Sequence, residues 1–174
     1  MNLTHKRLIG ELKDLAKNKV DYVQAYQDEI NPLIFYFMLK PKNEPYSGGL
    51  YIGRIELPKD YPFNPGKFFM LTPSGRFNIN KEICLTNSHY HTNNWTPVWS
   101  IRTMIIGFMS ILTDDSTSGI SHIHDDNNTR LQYSKQSHDY NISHHKNITL
   151  NFNQFVNSDG IIHSDSEILD FISH

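Results

Sequence analysis

The sequence is poor in three features that would each define a class of protein. A single cysteine, Cys84, excludes a framework of intramolecular disulfide bonds. Sixteen Lys and Arg residues against eighteen Asp and Glu leave a net charge of −2, without the basic excess typical of nucleic-acid binders. No run of about eighteen apolar residues occurs, which predicts no membrane span. The N-terminus also lacks a signal-peptide core, so we expect a soluble protein of a reducing compartment, cytoplasmic or nucleocytoplasmic, that binds no nucleic acid.

What is present has the composition of a folded domain. Hydrophobic residues make up 38% of the 174 residues and charged residues 20%, as in globular proteins. A chain of this length can bury one self-sufficient core but hardly two. We therefore expect one domain with room for a short extension.

The first half of the chain predicts one helix followed by four strands. Thr4 can cap a helix whose apolar stripe is formed by Leu8, Leu12 and Leu15. Segments rich in branched and aromatic residues then alternate with turn residues, and these segments are residues 22–27, 33–39, 51–57 and 67–71. Because the loops between them are short, the strands favour an antiparallel meander, and the predicted fold class is α+β.

The second half begins with a long irregular segment, residues 72–100, which contains the cysteine and both tryptophans. A loop of this length inside a compact domain usually carries function. Ser100 can cap a central helix with a wide apolar face. Asp125 or Asp126 can cap a further helix over residues 127–145, although the apolar residues in it are few.

Cys84 has the most distinctive chemistry in the irregular segment. A lone cysteine can be a small buried filler, a nucleophile or a metal ligand. With His89 and His91 it forms a Cys-x4-His-x-His spacing, but no second cysteine or His-Glu-x-x-His pattern completes a zinc site, and we expect no metal. A thiol hydrolase is a minor alternative, because no clear helix signal follows Cys84 to lower the pKa of its thiol.

Several motifs occur around Cys84 in a fixed order. They are Tyr-Pro-Phe-Asn-Pro at residues 61–65, Thr-Pro-Ser-Gly-Arg-Phe at 72–77, Ile-Cys-Leu at 83–85 and Trp-Thr-Pro at 95–97. Together with the helix and the meander, this order resembles the ubiquitin-conjugating enzyme family, collinearly from about Thr4 to Leu112. The chain looks most like the tail-anchored branch of endoplasmic-reticulum protein degradation, without that branch's C-terminal membrane anchor. The branch's segment after the cysteine is matched by His91, Trp95, Pro97 and Trp99.

The resemblance implies a carrier reaction in two steps. Cys84 accepts the C-terminal glycyl group of ubiquitin, or of a ubiquitin-like protein, from an activating enzyme and holds it as a thioester. A lysine of a protein substrate then attacks the thioester, with or through a ubiquitin ligase. No metal or nucleotide cofactor is implied, because the activating enzyme has already used the ATP. The alternative is an inactive family variant that binds ubiquitin or a ligase.

The resemblance also assigns roles to residues near the cysteine. Ser74 stands where most members carry an asparagine that supports the loop or stabilises the oxyanion, although a plain turn role fits Ser74 equally well. His91 can accept a proton from the incoming nucleophile or brace the loop. Trp95 and Trp99 are expected to pack the loop against the core.

Partner binding in the family uses the first helix and two neighbouring loops. The matching residues are Lys6, Arg7, Phe63, Pro97 and Val98. An exposed Phe63 could anchor a ligase, since binding hot spots favour aromatic side chains, whereas a buried Phe63 would belong to the core. Both alternatives fit the sequence.

The resemblance divides the chain into a core domain, residues 1–146, and a polar C-terminal extension, residues 147–174. The extension contains an apolar cluster around Phe152, Phe155 and Val156, followed by a tail rich in Ser and Asp. The sequence leaves open whether this tail is flexible or packs on the domain.

Overall fold

The computed structural model describes residues 2–83, 95–114, 119 and 121–174. Within them lie the helices Leu3–Lys17 (α1), Ile101–Leu112 (α2), Asn127–His144 (α3), Lys146–Leu150 (α4) and Asp165–Ser173 (α5), and the strands Val23–Gln27 (β1), Ile34–Leu39 (β2), Tyr51–Glu56 (β3) and Lys67–Met70 (β4). The α+β class is confirmed. No helix in the described ranges is both long enough and apolar enough to cross a bilayer.

The four strands form one antiparallel sheet in the order β1-β2-β3-β4, which confirms the predicted meander. Phe37 in β2 lies opposite Ala25 in β1 and Gly53 in β3. Because side chains alternate across a strand, Phe35, Phe37 and Leu39 share one face of the sheet, and all three are fully buried. We call this the inner face.

The inner face packs on α2. This helix begins as predicted at Ser100, whose hydroxyl oxygen accepts the amide N–H of Thr103 at 3.1 Å. Phe108 of α2 stacks on Phe68 and Phe77, with ring centroids 4.7 and 5.4 Å apart. The predicted apolar face of the central helix is therefore the centre of the main core.

The start of α1 differs from the prediction. Asn2, not Thr4, caps the helix, and the Oδ1 atom of Asn2 accepts the amide N–H of His5 at 2.8 Å. The hydroxyl of Thr4 lies 3.0 Å from the carbonyl oxygen of Lys59 and 2.8 Å from that of Tyr61. The prediction failed because Asn caps at least as well as Thr, and because Thr4 has tertiary acceptors that the sequence does not reveal.

The opposite, outer face of the sheet is covered by the C-terminal part of the chain. Tyr26 of β1 meets Phe152 edge to face at 5.0 Å, and the side-chain amide of Gln154 donates to the carbonyl oxygen of Val20 at 2.7 Å. Of the two alternatives left open by the sequence, the packed tail is the one observed. The apolar residues of this second cluster are Met38, Leu50, Ile52, Leu71, Phe152, Phe155, Val156 and Ile168.

Helix α3 is capped by Asp126, one of the two predicted caps, which accepts the amide N–H of Thr129 at 2.8 Å. The residues that α3 buries are nevertheless all polar, and they are Arg130, Ser134, Ser137 and Asn141. They bond to the chain near the start of β3, so that α3 closes the end of the sheet where β3 begins.

Candidate functional site

The cysteine region is described on both of its flanks. Cys84 itself and the predicted residues His89 and His91 lie outside the described residues. The described part of the site is the approach segment, residues 72–83, and the exit segment, residues 95–100. Among the residues that the structure describes, no three or more His, Cys, Asp or Glu side chains are grouped to hold a metal ion.

The approach segment opens with a tight turn at Ser74. This residue is fully buried, and its hydroxyl oxygen accepts the amide N–H of Arg76 at 3.1 Å. Gly75 has a φ of +80°, and a Cβ atom there would lie 2.7 Å from the Cγ atom of Arg130, so the turn requires glycine on both counts. The geometry of Ser74 is that of a side chain that supports the loop.

Arg76, within the approach segment, is fully buried. Its Nη1 atom lies 3.0 Å from Nδ1 of His122, and its Nη2 atom donates to the carbonyl oxygen of Asp114 at 2.9 Å. The guanidinium carbon also sits 4.8 Å from the centre of the Phe77 ring. Because Asp114 lies two residues after the end of α2, the arginine charge lies at the negative end of a helix dipole.

A second segment, residues 121–125, lies alongside the approach segment, and we call it the strap. The amide of Asn78 donates to the carbonyl oxygen of Ser121 at 2.8 Å, and the amide of Ile123 donates to that of Arg76 at 2.9 Å. The hydroxyl of Ser121 also donates to the carbonyl oxygen of Glu82 at 2.7 Å. The strap thus holds the chain up to two residues before Cys84.

The exit segment is held by its two tryptophans, as predicted. The indole Nε1 of Trp95 donates to the carbonyl oxygen of Pro62 at 2.8 Å. Its ring lies 6.2 Å from that of Tyr61 and 6.3 Å from that of Trp99, and both indoles pack against the main core. The packing fixes the exit segment against the loop that carries Phe63.

A buried carboxylate joins these loops to α1. Glu11 is only 3% exposed, and its Oε1 atom accepts from Nε of Arg7 at 2.8 Å and from the hydroxyl of Tyr61 at 2.7 Å. Its Oε2 atom accepts the amide N–H of Ile101, the first residue of α2, at 2.9 Å. Burial, together with the neighbouring Glu11 charge, raises the pKa of Tyr61. Sequence reasoning missed Glu11, although an acid three residues after Leu8 on the apolar stripe was a usable signal.

Most of the residues predicted to bind partners are exposed. Phe63 is 59% exposed and Val98 is 88% exposed, and Pro97 and Lys6 are also exposed. Of the two alternatives for Phe63, the structure therefore shows the exposed one. Arg7 differs from the others, because its Nη2 atom donates to the carbonyl oxygen of Trp99 at 2.7 Å and its Nε atom to Glu11.

Known proteins match this chain over most of its length. The sequence model of the family described as ubiquitin-conjugating enzyme matches residues 7–146. The ubiquitin-conjugating enzyme E2 6 of Eremothecium gossypii is 38% identical over 138 residues, which are 79% of this chain and 57% of that protein. The protein of the same name from Schizosaccharomyces pombe is 36% identical over 155 residues, which are 87% of this chain and 67% of that protein. The chain thus spans only part of the length of either relative.

The fold has solved counterparts as well. A crystal structure assigned to a ubiquitin conjugating enzyme of Plasmodium yoelii superposes with a TM-score of 0.62 at 25% sequence identity. The superposition covers 82% of this chain and 96% of that chain. The likeness of fold therefore extends over most of this chain.

Proposed function

Because the chain belongs to the ubiquitin-conjugating enzyme family, we propose that it carries ubiquitin as a thioester on Cys84. The Cys84 thiolate attacks the carbonyl carbon of the thioester between ubiquitin and the activating enzyme, and the thiolate of the activating enzyme leaves. A substrate lysine amine then attacks the new thioester, its nitrogen loses a proton as the amide forms, and the sulfur of Cys84 leaves as the thiolate. The thiol must stay reduced, so the reaction belongs in a reducing compartment.

The observation that carries this proposal is the family match over residues 7–146, which includes Cys84 within the collinear motifs. The structure supports it, because the approach and exit segments are tied to the core by the strap, Arg76 and the tryptophans. A rigid approach favours a reaction in which two large proteins must bring a thiol and a carbonyl together. We assign the activity to the core, residues 1–146, with the extension, residues 147–174, packed on its outer face.

We further propose that the exposed surface formed by Lys6, Phe63, Pro97 and Val98 binds the activating enzyme and the ligase. Phe63 is the candidate anchor of this surface, because exposed aromatic side chains are enriched in the cores of protein interfaces. Arg7 acts here by holding Trp99 and Glu11, and therefore by shaping the surface.

The test is a charging assay on the full chain with activating enzyme, ATP and ubiquitin. We expect an adduct that is lost on reduction and absent in Cys84→Ala. If no adduct forms while a known conjugating enzyme is charged in the same mixture, the chain is instead an inactive binding variant. Ser74→Asn tests the turn, and an unchanged rate of discharge to lysine would show that the difference between serine and asparagine at this position is immaterial to the chemistry.

The proposed surface has its own test. We expect Phe63→Ala to leave the folded state intact and to weaken ligase-dependent discharge at least about tenfold, as loss of a hot-spot side chain does. Ile30 in the β1–β2 turn is 93% exposed and lies far in sequence from the proposed binding surface, so Ile30→Ala is the matched control. Equal discharge by both variants with every ligase tested would refute this binding surface.

A further inference from the structure

His122 of the strap is a residue to which neither the motifs nor the family match assigns a role. It is half-buried, it pairs with Phe77 across an isolated β-bridge, and its ring meets the Phe77 ring edge to face at 5.0 Å. An arginine side chain can only donate hydrogen bonds, so Nδ1 of His122 is the acceptor for Nη1 of Arg76. This hydrogen bond requires the imidazole tautomer that leaves Nδ1 without a proton.

This pair joins three parts of the site. Arg76 belongs to the approach segment, His122 belongs to the strap, and the carbonyl oxygen of Asp114 that Arg76 also contacts follows α2. A buried guanidinium needs acceptors at fixed positions, because leaving its N–H groups unpaired costs more than a typical hydrogen bond provides. The acceptor on His122 thus fixes the strap relative to the approach segment.

Ser121, the residue next to His122, connects the strap to the chain just before the cysteine. Ser121 has a φ of +70°, in the left-handed region that serine rarely adopts, and such strain persists only where the surroundings hold it. In that conformation its hydroxyl donates to the carbonyl oxygen of Glu82 at 2.7 Å. Glu82 is two residues before Cys84, so this hydrogen bond fixes the strap to the chain just before the nucleophile.

We propose that His122 is a positioning residue for the reaction at Cys84, acting through Arg76 and through the Ser121 hydroxyl. The inference rests on the proposed function, since it concerns the rate of that reaction. It identifies a contribution of the strap that is separate from any direct contact with ubiquitin or substrate. A shift of the thiol by about an ångström can cost orders of magnitude in rate, so a well-held approach segment matters to the chemistry.

The test compares His122→Asn with His122→Leu, two side chains of similar size that differ in the presence of an acceptor. The Oδ1 atom of Asn can take the place of Nδ1 and accept from Arg76, whereas Leu cannot. We expect the maximal rate of thioester formation, at saturating charged activating enzyme, to fall about tenfold in His122→Leu and to stay within about threefold of wild type in His122→Asn. The concentration for half-maximal rate should stay unchanged, because the partner surface is intact.

A matched control and a stability measurement complete the design. His138→Gln removes another half-buried histidine, whose Nε2 atom lies 2.7 Å from the carbonyl oxygen of Gly160, and it should charge like wild type. Thermal unfolding shows which variants are folded at the assay temperature. If His122→Leu is unfolded at the assay temperature, Ser121→Ala takes its place as the test. This variant should keep its fold and slow thioester formation about threefold.

The outcomes separate this inference from the proposed function. Failure of the wild-type chain to form a thioester would remove the proposed function itself. A charged wild type with equal maximal rates in folded His122→Leu and His122→Asn would overturn the role of His122 alone. In the Ser121→Ala experiment, a rate equal to wild type would overturn it as well.

Discussion

Helices α2 and α3 bury stripes of nearly the same spacing, but with opposite chemistry. The stripe of α2 is entirely apolar and consists of Ile101, Met104, Ile105, Phe108, Ile111 and Leu112. The stripe of α3 is entirely polar and consists of Arg130, Ser134, Ser137 and Asn141. The period is set by helix geometry, whereas the chemistry is set by what the helix meets.

The partner of α2 is the inner face of the sheet, which offers only side chains, and the main partner of α3 is buried backbone at the start of β3. The hydroxyl oxygen of Ser137 accepts the amide N–H of Leu50 at 2.9 Å, and the amide of Asn141 donates to the carbonyl oxygen of Leu50 at 2.9 Å. The hydroxyl of Thr72 donates to Oδ1 of Asn141 at 2.5 Å and accepts the amide N–H of Ile52 at 2.9 Å. A polar stripe is therefore stable where its buried groups find partners, as those of Ser137 and Asn141 do.

The largest expected effect is on the apolar side of the comparison. Phe108→Ala removes the ring that stacks on Phe68 and Phe77, and we expect the free energy of unfolding to fall by about 3 to 5 kcal/mol. Urea denaturation measures the loss. Ser110→Ala, on the exposed side of α2, is the control and should change the stability by less than about 0.5 kcal/mol. A loss below about 1 kcal/mol for Phe108→Ala would show that this core repacks freely.

The next effect tests the polar side. Asn141→Leu keeps the size of the side chain but leaves the Leu50 carbonyl and the Thr72 hydroxyl without this partner, so we expect a loss of about 2 to 3 kcal/mol. Asn128→Leu, exposed in the first turn of α3, is the matched control, and urea denaturation again measures both variants. Stability equal to wild type in Asn141→Leu would mean that apolar packing alone could close this end of the sheet.

We expect alkaline pH to lower the free energy of unfolding through one buried tyrosine on each face of the sheet. Burial raises the pKa of Tyr51, on the inner face, and of Tyr26, on the outer face, to about 12. Because the folded pKa is above the unfolded value of about 10, their stabilisation is complete below pH 10 and is lost as the pH rises toward 12. The two tyrosines together should contribute about 2 kcal/mol to the loss of unfolding free energy as the pH rises toward 12, after allowance for solvent screening. In Tyr26→Phe and in Tyr51→Phe, the unfolding free energy should fall less steeply with rising pH. Chemical denaturation from pH 9 to 12 measures it, and parallel curves for wild type and both variants would contradict the assignment.

The smallest effect distinguishes the caps of the two helices. Ser100→Ala should lower the stability by about 1 kcal/mol, with little dependence on pH. The amide and hydroxyl of Thr129 lower the pKa of Asp126 by hydrogen bonding, so the stabilisation by this cap is lost as the pH falls. Asp126→Asn should keep the cap and reduce this acid sensitivity. Denaturation curves between pH 3 and 7 check both expectations, and an acid dependence unchanged in Asp126→Asn would disprove the second.

Sequence patterns predicted the meander, α2 and the existence of α3 because each depends on local rules of periodicity and capping. The packing of α3 was not predictable in this way, because Ser137 and Asn141 look like surface residues until their backbone partners are known. Helix α5 did carry an unused signal, the capping box formed by Ser164 and Glu167.

The candidate site was likewise predictable where it depends on local motifs and not where it depends on tertiary contacts. The order of motifs around Cys84 pointed to the family, and the exposure of Phe63 followed from neither periodicity nor composition. Glu11 and His122 were missed because their roles arise between segments far apart in the sequence. Pairings such as Glu11 with Ile101, and Arg76 with His122, exist only once the chain is folded.

The extension has a practical consequence for the integrity of the molecule. The family match stops at residue 146, but Phe152 and Ile168 lie beyond it and cover Met38 and Ile52 of the outer face. A recombinant chain cut at residue 146 would expose these side chains of the strands to water as a continuous hydrophobic patch. Such patches promote self-association, so the solubility of the chain depends on residues outside the core to which we assign the reaction.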